Sequence, residues 1–323
     1  ELCGFNTLQI FDGAEFEEND IPKIGNTLLI FLSQSGETKD LHRCISIAKE
    51  HDIFLLEDCA LTLGSKIHDV VCGNFGDAAL FSTDHSKPLN TMTGGLIYTQ
   101  NTHLYKKLKH AQAESGSLTP EKKKSLWKQL LLERKYCCPE RYGLFYLISS
   151  LRSRFGLGGR PFLDEDFRPL VNHSYSYPAK LPSFLARLGL MELKRWEKTV
   201  ETRKWLLQSL LKVMADDSIE EFPRSYRDES RDVVPLRLAW APQKGQELRA
   251  NLNRFLQTSW TWFMHPIVAT PEPIERFGYQ IGSCPVSEKL GPRMVNLPCN
   301  LSRTQGSSLV EILRKDIHSI NKK

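Results

Sequence analysis

A carboxylate, a hydroxyl and an amine sit close together in the stretch Leu55–Gly95, as Asp58, Ser82 and Lys87. An apolar run from Ile53 to Leu56 ends on the acidic pair Glu57-Asp58. In α/β sheets, ligands gather outside the carboxyl ends of the strands, so a strand that ends on a carboxylate is a site-building device. A Gly-rich segment then leads to a second apolar run that closes on Ser82, and Lys87 precedes the Gly94-Gly95 turn. A lysine held in a polar pocket does amine chemistry once its pKa is lowered. Each residue also has a plain structural explanation: a helix cap for Asp58, a turn hydroxyl for Ser82, a solvated side chain for Lys87. His85 in the intervening turn reads either as a second acid/base or as incidental.

These groups need a sheet to hold them. Thr27–Leu32 (TLLIFL) reads as a buried strand, Ser33-Gln34-Ser35-Gly36 as a turn, and Leu41, Cys44, Ile45 and Ala48 as one helical face ahead of the strand Ile53–Leu56. Two parallel strands joined by a helix make a βαβ unit. Ala78–Ser82 and Gly95–Thr99 supply two more strands. From Leu104 to Phe155 the pattern is helical and rich in Lys, Arg and Leu. Its last part, Tyr142–Phe155 (YGLFYLISSLRSRF), suits a membrane-surface or partner helix, or a helix packed on the body of the protein; packing is the expectation. Gly156–Pro169 reads as a linker. One long helix is expected from Ser183 through Leu188, Met191, Trp196, Trp205 and Leu211. Asp232–Trp240 and Ser259–Met264 read as strands around the helix Gly245–Leu256, with a last helix over Ser307–Ile317.

The order and spacing of Glu57-Asp58-Cys59-Ala60, Gly73-Asn74-Phe75-Gly76-Asp77, Phe81-Ser82, Lys87 and Gly94-Gly95 resemble the cofactor-binding core of the DegT/StrS-type sugar aminotransferases. His265-Pro266 and Asn296-Leu297-Pro298 extend the resemblance more weakly, so that it covers residues 52–317. It implies an α/β protein of the aspartate-aminotransferase type (fold type I), with the large domain incomplete and a small C-terminal α+β domain. It also implies pyridoxal 5'-phosphate as cofactor. Lys87 would form the Schiff base and move the proton, Asp58 would pair with the pyridine nitrogen, and Ser82 would donate to the cofactor phosphate. The substrate class implied is a keto sugar, nucleotide-linked, with glutamate as donor, turned over by a homodimer. Leu61 stands where the family carries Gln, and Pro178 and Lys180 stand near its Asn and Arg, which puts contacts from a neighbouring subunit in doubt. The related dehydratase branch replaces the lysine, and Lys87 is present.

Residues 1–51 resemble something else, the sugar isomerase (SIS) domain of glucosamine-fructose-6-phosphate aminotransferases. There Ser-Gln-Ser-Gly-Glu-Thr binds a sugar phosphate, which maps onto Ser33, Gln34, Ser35 and Thr38. Hydroxyls and backbone N–H groups at a helix start favour an anion, and a Ser/Gly turn that only caps a helix accounts for the same residues. The expected division is therefore 1–51, an SIS-like βα fragment; 52–170, part of a cofactor-binding large domain with a helical insertion; and 171–323, the long helix and small domain. The two resemblances meet near Ile47–His51, so the chain is expected to be a fusion, a truncation or a chimera. A phosphosugar-binding module and a non-catalytic remnant stand as alternatives to the transaminase.

Bulk properties fit an enzyme of ordinary composition. The 323 residues are 41% hydrophobic and 25% charged, with 43 basic and 38 acidic residues. That permits anionic substrates but lacks the clustered charge of a nucleic-acid binder. No apolar run approaches the roughly 20 residues of a membrane span, and no leader pattern opens the chain. The eight cysteines show no metal spacing and read mostly as core fillers in a reducing compartment. The expectation is a cytoplasmic protein with no metal, nucleic-acid or membrane partner.

Overall fold

The computed structural model describes residues 28–32, 38–136, 179–216, 226–256, 264–267 and 273–321, together with the helical residues Arg141, Leu147, Ile148 and Leu151. The Ser33–Gly36 turn, the Gly156–Pro169 linker and all of Ser259–Met264 but its last residue lie outside them. The chain divides into two compact units. The first comprises residues 1–115, 183–204 and 223–236, and the second residues 116–182, 205–222 and 237–323.

The first unit is built on a four-stranded sheet. Strand β1 (Leu28–Leu32) pairs in parallel with β2 (Phe54–Asp58), β2 in parallel with β5 (Ala78–Ser82), and β5 antiparallel with the edge strand β6 (Gly95–Tyr98). Helix α1 (Thr38–Glu50) makes the β1–β2 crossover and buries Cys44, Ile47 and Ala48, the spacing of one helical face. A left-handed residue, Asp52 at φ 50°, ends it, and Ile53 N–H donates back to Ala48 O at 2.8 Å. The chain is thereby turned into β2.

Between β2 and β5 lies a hairpin of β3 (Lys66–Ile67) and β4 (Val70–Val71). His68 and Asp69, at φ 46° and 66°, form its two-residue turn, the both-positive conformation that matches strand twist. A strand from far along the chain, β9 (Arg231–Asp232), pairs with the other edge of β3. Helix α2 (Thr102–Glu114) follows β6, capped by Asn101, whose side chain accepts from the backbone N–H groups of His103 and Leu104.

In the second unit, β7 (Gly116–Ser117) pairs with β8 (Ala179–Lys180) and α3 (Pro120–Tyr136) opens on a proline, where no intrahelical N–H is lost. Strands β10 (Arg237–Trp240) and β11 (Val295–Pro298) pair antiparallel. Helix α6 (Gly245–Leu256) packs on β11 and on the terminal helix α8 (Arg303–Asn321). The core is fully buried and almost entirely apolar, with Met214, Leu238, Trp240, Leu252, Leu297 and Leu309 at its centre. Gly245 opens α6 because a Cβ there would fall 1.8 Å from the Arg293 carbonyl oxygen. A short helix, α7 (Pro285–Leu290), precedes β11.

Two expectations are corrected. Asp232–Trp240 is not one strand: Pro235, with no N–H for a ladder, falls between β9, which pairs with β3, and β10, which pairs with β11. The long helix from Ser183 is two, α4 (Ser183–Leu193) and α5 (Trp196–Asp216), separated by a turn at Lys194-Arg195 that no Pro or Gly announces.

Candidate active site

Register decides which side chains meet. Glu57 lies opposite Ala79, and Asp58 opposite Leu80. Because side chains alternate along a strand, Glu57 shares a face with Ala79 and Phe81, whereas Asp58 shares the other with Leu80 and Ser82. The first face is the core, where Cys59, Ile67, Cys72 and Ala79 pack with Ile45, Phe75 and Phe81. The second carries Asp58 and Ser82 at the carboxyl ends of neighbouring parallel strands.

Glu57 is completely buried and holds the Gly-rich segment in place. Its Oε2 accepts from Gly73 N–H at 2.8 Å, and its Oε1 from Phe75 N–H at 2.5 Å and Gly76 N–H at 2.8 Å. Asp77 completes the clamp: its Oδ2 accepts from Leu55 N–H at 2.8 Å, and its own N–H donates to Leu55 O at 2.9 Å. Both glycines are required. Gly73 sits at φ 102°, and a Cβ on Gly76 would lie 2.6 Å from Leu55 O. The Gly-x-Phe-Gly-Asp pattern is thus scaffold, and it fixes the end of β2 where Asp58 begins. The sequence reading assigned Glu57 no role. Its signal was there in the two glycines, whose bared backbone N–H groups need an acceptor.

Residues 83–94 form a loop tied at its base. Thr83 N–H donates to Gly94 O at 3.0 Å, Thr91 N–H to Thr83 O at 2.8 Å, and the Thr91 hydroxyl to Thr83 Oγ1 at 2.6 Å. Within it, Lys87 N–H donates to Asp84 O at 2.9 Å, closing a turn that carries Asp84, His85, Ser86 and Lys87. Asn90 braces the turn by donating to His85 O at 2.8 Å.

Lys87 is half-buried, and burial pushes its amine below the usual lysine range, while the carboxylates of Asp84 and then Asp58 pull it part of the way back. The loop therefore brings Lys87 within electrostatic reach of Asp58. Asp58 Oδ1 accepts from Ala60 N–H at 2.9 Å and so braces the turn that follows β2; no helix begins there, so the helix cap expected as its alternative role is not what it forms. Ser82 Oγ accepts from Asp84 N–H at 3.4 Å. His85 Nδ1 lies 2.7 Å from Asp84 Oδ1. Burial raises the Asp84 carboxyl, but the His85 hydrogen bonds and charge, with the charge of Lys87, hold it below the usual carboxylate range. Asp84 was missed in the sequence, since a carboxylate in a turn has no periodic signature.

The residues present fit a cofactor that carries a carbonyl, a ring nitrogen and oxygen substituents. Lys87 offers an amine biased toward neutrality, and Asp58 a carboxylate for a protonated ring nitrogen. Ser86 Oγ is buried beside Lys87 and makes no hydrogen bond to any described residue, an orphan hydroxyl suited to an oxygen-bearing ligand. Of the expected phosphosugar residues, Ser33, Gln34 and Ser35 lie outside the described residues, and Thr38 opens α1. Leu61 is half-buried just after Ala60.

The DegT/DnrJ/EryC1/StrS aminotransferase family model matches residues 27–313, which takes in β1 and α1 as well as the site. The L-glutamine:2-deoxy-scyllo-inosose aminotransferase of Micromonospora echinospora is 32% identical over 110 residues, 34% of this chain and 26% of that protein. A shorter stretch of 47 residues, 15% of this chain, is 64% identical to 8% of the probable glutamine--fructose-6-phosphate aminotransferase [isomerizing] of Acanthamoeba polyphaga mimivirus. In fold, the chain is similar to a DegT DnrJ EryC1 StrS aminotransferase from Brucella abortus. The TM-score is 0.58 at 18% identity, over 90% of this chain and 64% of that one. The chain thus spans less than two thirds of these relatives' own lengths. With the match running through both units, the chain belongs to the DegT/DnrJ/EryC1/StrS aminotransferase family, whose enzymes depend on pyridoxal phosphate.

Proposed function

We propose that the chain binds pyridoxal phosphate at Lys87 and transfers an amino group to a keto sugar, on an incomplete version of the fold type I scaffold. The observation that carries this reading is the placement of Lys87, with its lowered proton affinity, within electrostatic reach of Asp58 at the carboxyl end of β2. Bound there, the cofactor would supply an electron sink for the carbanion left when an amino donor loses its Cα proton. The chain's own residues do the rest. Asp58 supplies negative charge opposite a protonated ring nitrogen. Lys87, neutral often enough to act as a base, takes the proton from the donor Cα and holds it for return. Ser82 and Ser86 offer hydroxyls to oxygens of the ligand. Glutamate is the proposed donor, with L-glutamine, the donor named for the Micromonospora relative, as the competitor to test against it. A homodimer in the cytoplasm is part of the same reading.

Borohydride reduction of the protein mixed with pyridoxal phosphate, followed by peptide mapping, tests the core of it. The label is expected on the Lys87 peptide, with visible absorbance that Lys87→Ala abolishes. An unlabelled Lys87 sinks the proposal. A second reading has the 64% match to the isomerizing aminotransferase behind it: a phosphosugar site at Ser33, Gln34, Ser35 and Thr38. Fructose 6-phosphate binding that is lost in Ser35→Ala and indifferent to pyridoxal phosphate would favour this module instead. Neither signal would leave a non-catalytic remnant of the fold.

A further inference from the structure

Met92, in the loop that carries Lys87, stands in the left-handed region at φ 68° although it has a long side chain. In an L-residue that conformation crowds Cβ against a carbonyl oxygen, so something must hold it. The side chain is buried, 4% exposed, and two hydrogen bonds fasten the backbone. Met92 N–H donates to Asn90 Oδ1 at 2.7 Å, and Met92 O accepts from His85 N–H at 3.2 Å. A residue kept in a sparsely populated conformation is over-determined by its surroundings, and such residues gather at working sites.

Asn90 ties this strained residue to the lysine turn. Its side-chain oxygen takes the N–H two residues on, the arrangement of an Asx-turn, while its Nδ2 donates to His85 O at 2.8 Å. One bond needs an acceptor and the other a donor, so together they fix which way round the amide lies. His85 is thereby held at both backbone groups, its N–H by Met92 and its carbonyl by Asn90. Its ring meets Asp84, Nδ1 to Oδ1 at 2.7 Å, and Asp84 O accepts from Lys87 N–H at 2.9 Å. The residue between Asn90 and Met92 is anchored too. A Cβ on the buried Gly189 would fall 2.9 Å from Thr91 Cγ2, so glycine there lets α4 come close to the loop.

We propose that Asn90 and Met92 are positioning residues for Lys87: the Asn90 amide clasps the left-handed Met92 to the Asp84–Lys87 turn and so keeps the lysine side chain half-buried, within reach of the Asp84 and Asp58 carboxylates. Both act through His85 and the turn. Without the clasp, Met92 returns to an ordinary backbone conformation, and the turn moves outward toward water. Burial is what biases the Lys87 amine toward neutrality, so an amine moved into water keeps its proton to higher pH. For cofactor trapping this inference rests on the reading of Lys87 given above; for the amine's own reactivity it does not.

Competitive acylation of the full chain across pH, read by mass spectrometry on the Lys87 peptide, tests this with no cofactor present. Asn90→Ala is expected to shift the Lys87 profile to higher pH and to lower reactivity below the midpoint by about 3-fold or more. Trapping of pyridoxal phosphate by borohydride should fall alongside. Asn90→Ser keeps a side-chain acceptor for the Met92 N–H and should shift the profile less; it carries the test if Asn90→Ala does not fold by circular dichroism. Glycine takes φ 68° without strain, so Asn90→Ala/Met92→Gly should recover most of the original profile. Folded Asn90 variants that lose stability in urea yet leave the Lys87 profile unchanged overturn the proposal and make the clasp structural only. A double variant no better than Asn90→Ala overturns it as well. An acylation shift in a chain whose Lys87 traps no cofactor would sink the transaminase reading and leave the positioning role standing.

Discussion

Lys87 owes its character to two opposed influences: burial, which drives the proton off, and the Asp84 and Asp58 carboxylates, which hold it on. Of the two carboxylates, Asp84 has the larger effect. Asp84→Asn should therefore lower the pH at which the Lys87 amine becomes reactive, and competitive acylation with mass spectrometry of the Lys87 peptide would read this without any cofactor. An unchanged pH profile would mean that Asp84 does not act on the lysine. The folded state also binds its Lys87 proton less tightly than the unfolded chain does. The protein should then gain stability as pH rises from the lowered pKa toward the ordinary lysine value of 10.5. Asp84 works in the opposite window. Its depressed carboxyl stabilises the fold above the ordinary aspartate range and stops doing so as pH falls through the lowered value. Urea midpoints across pH, compared with Lys87→Met and Asp84→Asn, would separate the two contributions.

The segment from Gly73 to Asp77 has no regular secondary structure and is rigid for another reason, the three backbone donors that converge on the Glu57 carboxylate. Glu57→Gln replaces one acceptor oxygen with a donor, so one buried N–H loses its partner. That should cost about 1–3 kcal/mol, measurable as a lower urea midpoint. Gly76→Ala presses a methyl group onto the Leu55 carbonyl and should cost a similar amount, about 1–3 kcal/mol, or prevent folding. The loop that carries Lys87 begins where β5 ends, and β5 is set by its pairing with β2, so both changes should also reduce cofactor trapping at Lys87. Retained trapping in a folded Glu57→Gln protein would show that the clamp serves stability alone.

At the scale of the whole molecule, the reading as a transaminase makes a direct demand. L-glutamate or L-glutamine added to the cofactor-loaded protein should change its visible absorbance, and Asp58→Asn should slow that half-reaction by roughly 100-fold or more. A rate that does not respond to Asp58→Asn would remove Asp58 from the mechanism. The parallel strands were legible because buried strands are continuous apolar runs, and Asp58, Ser82 and Lys87 stood out by the order and spacing of the motif around them. The break between α4 and α5 was not legible, since no residue there breaks a helix. The hairpin turn at His68-Asp69 escaped because two non-glycine residues take positive φ there. The β3–β9 pairing escaped because periodicity is local and this contact is not. That last contact bears on how the protein is made. Ser65 Oγ accepts from Val234 N–H at 2.9 Å across 169 residues of chain. A ribosome must therefore deliver the parts of the second unit that precede Arg237, residues 116–182 and 205–222, before the first can close. Nascent chains halted before Arg231 should be cut by protease near Lys66, and those released beyond Leu236 should resist it.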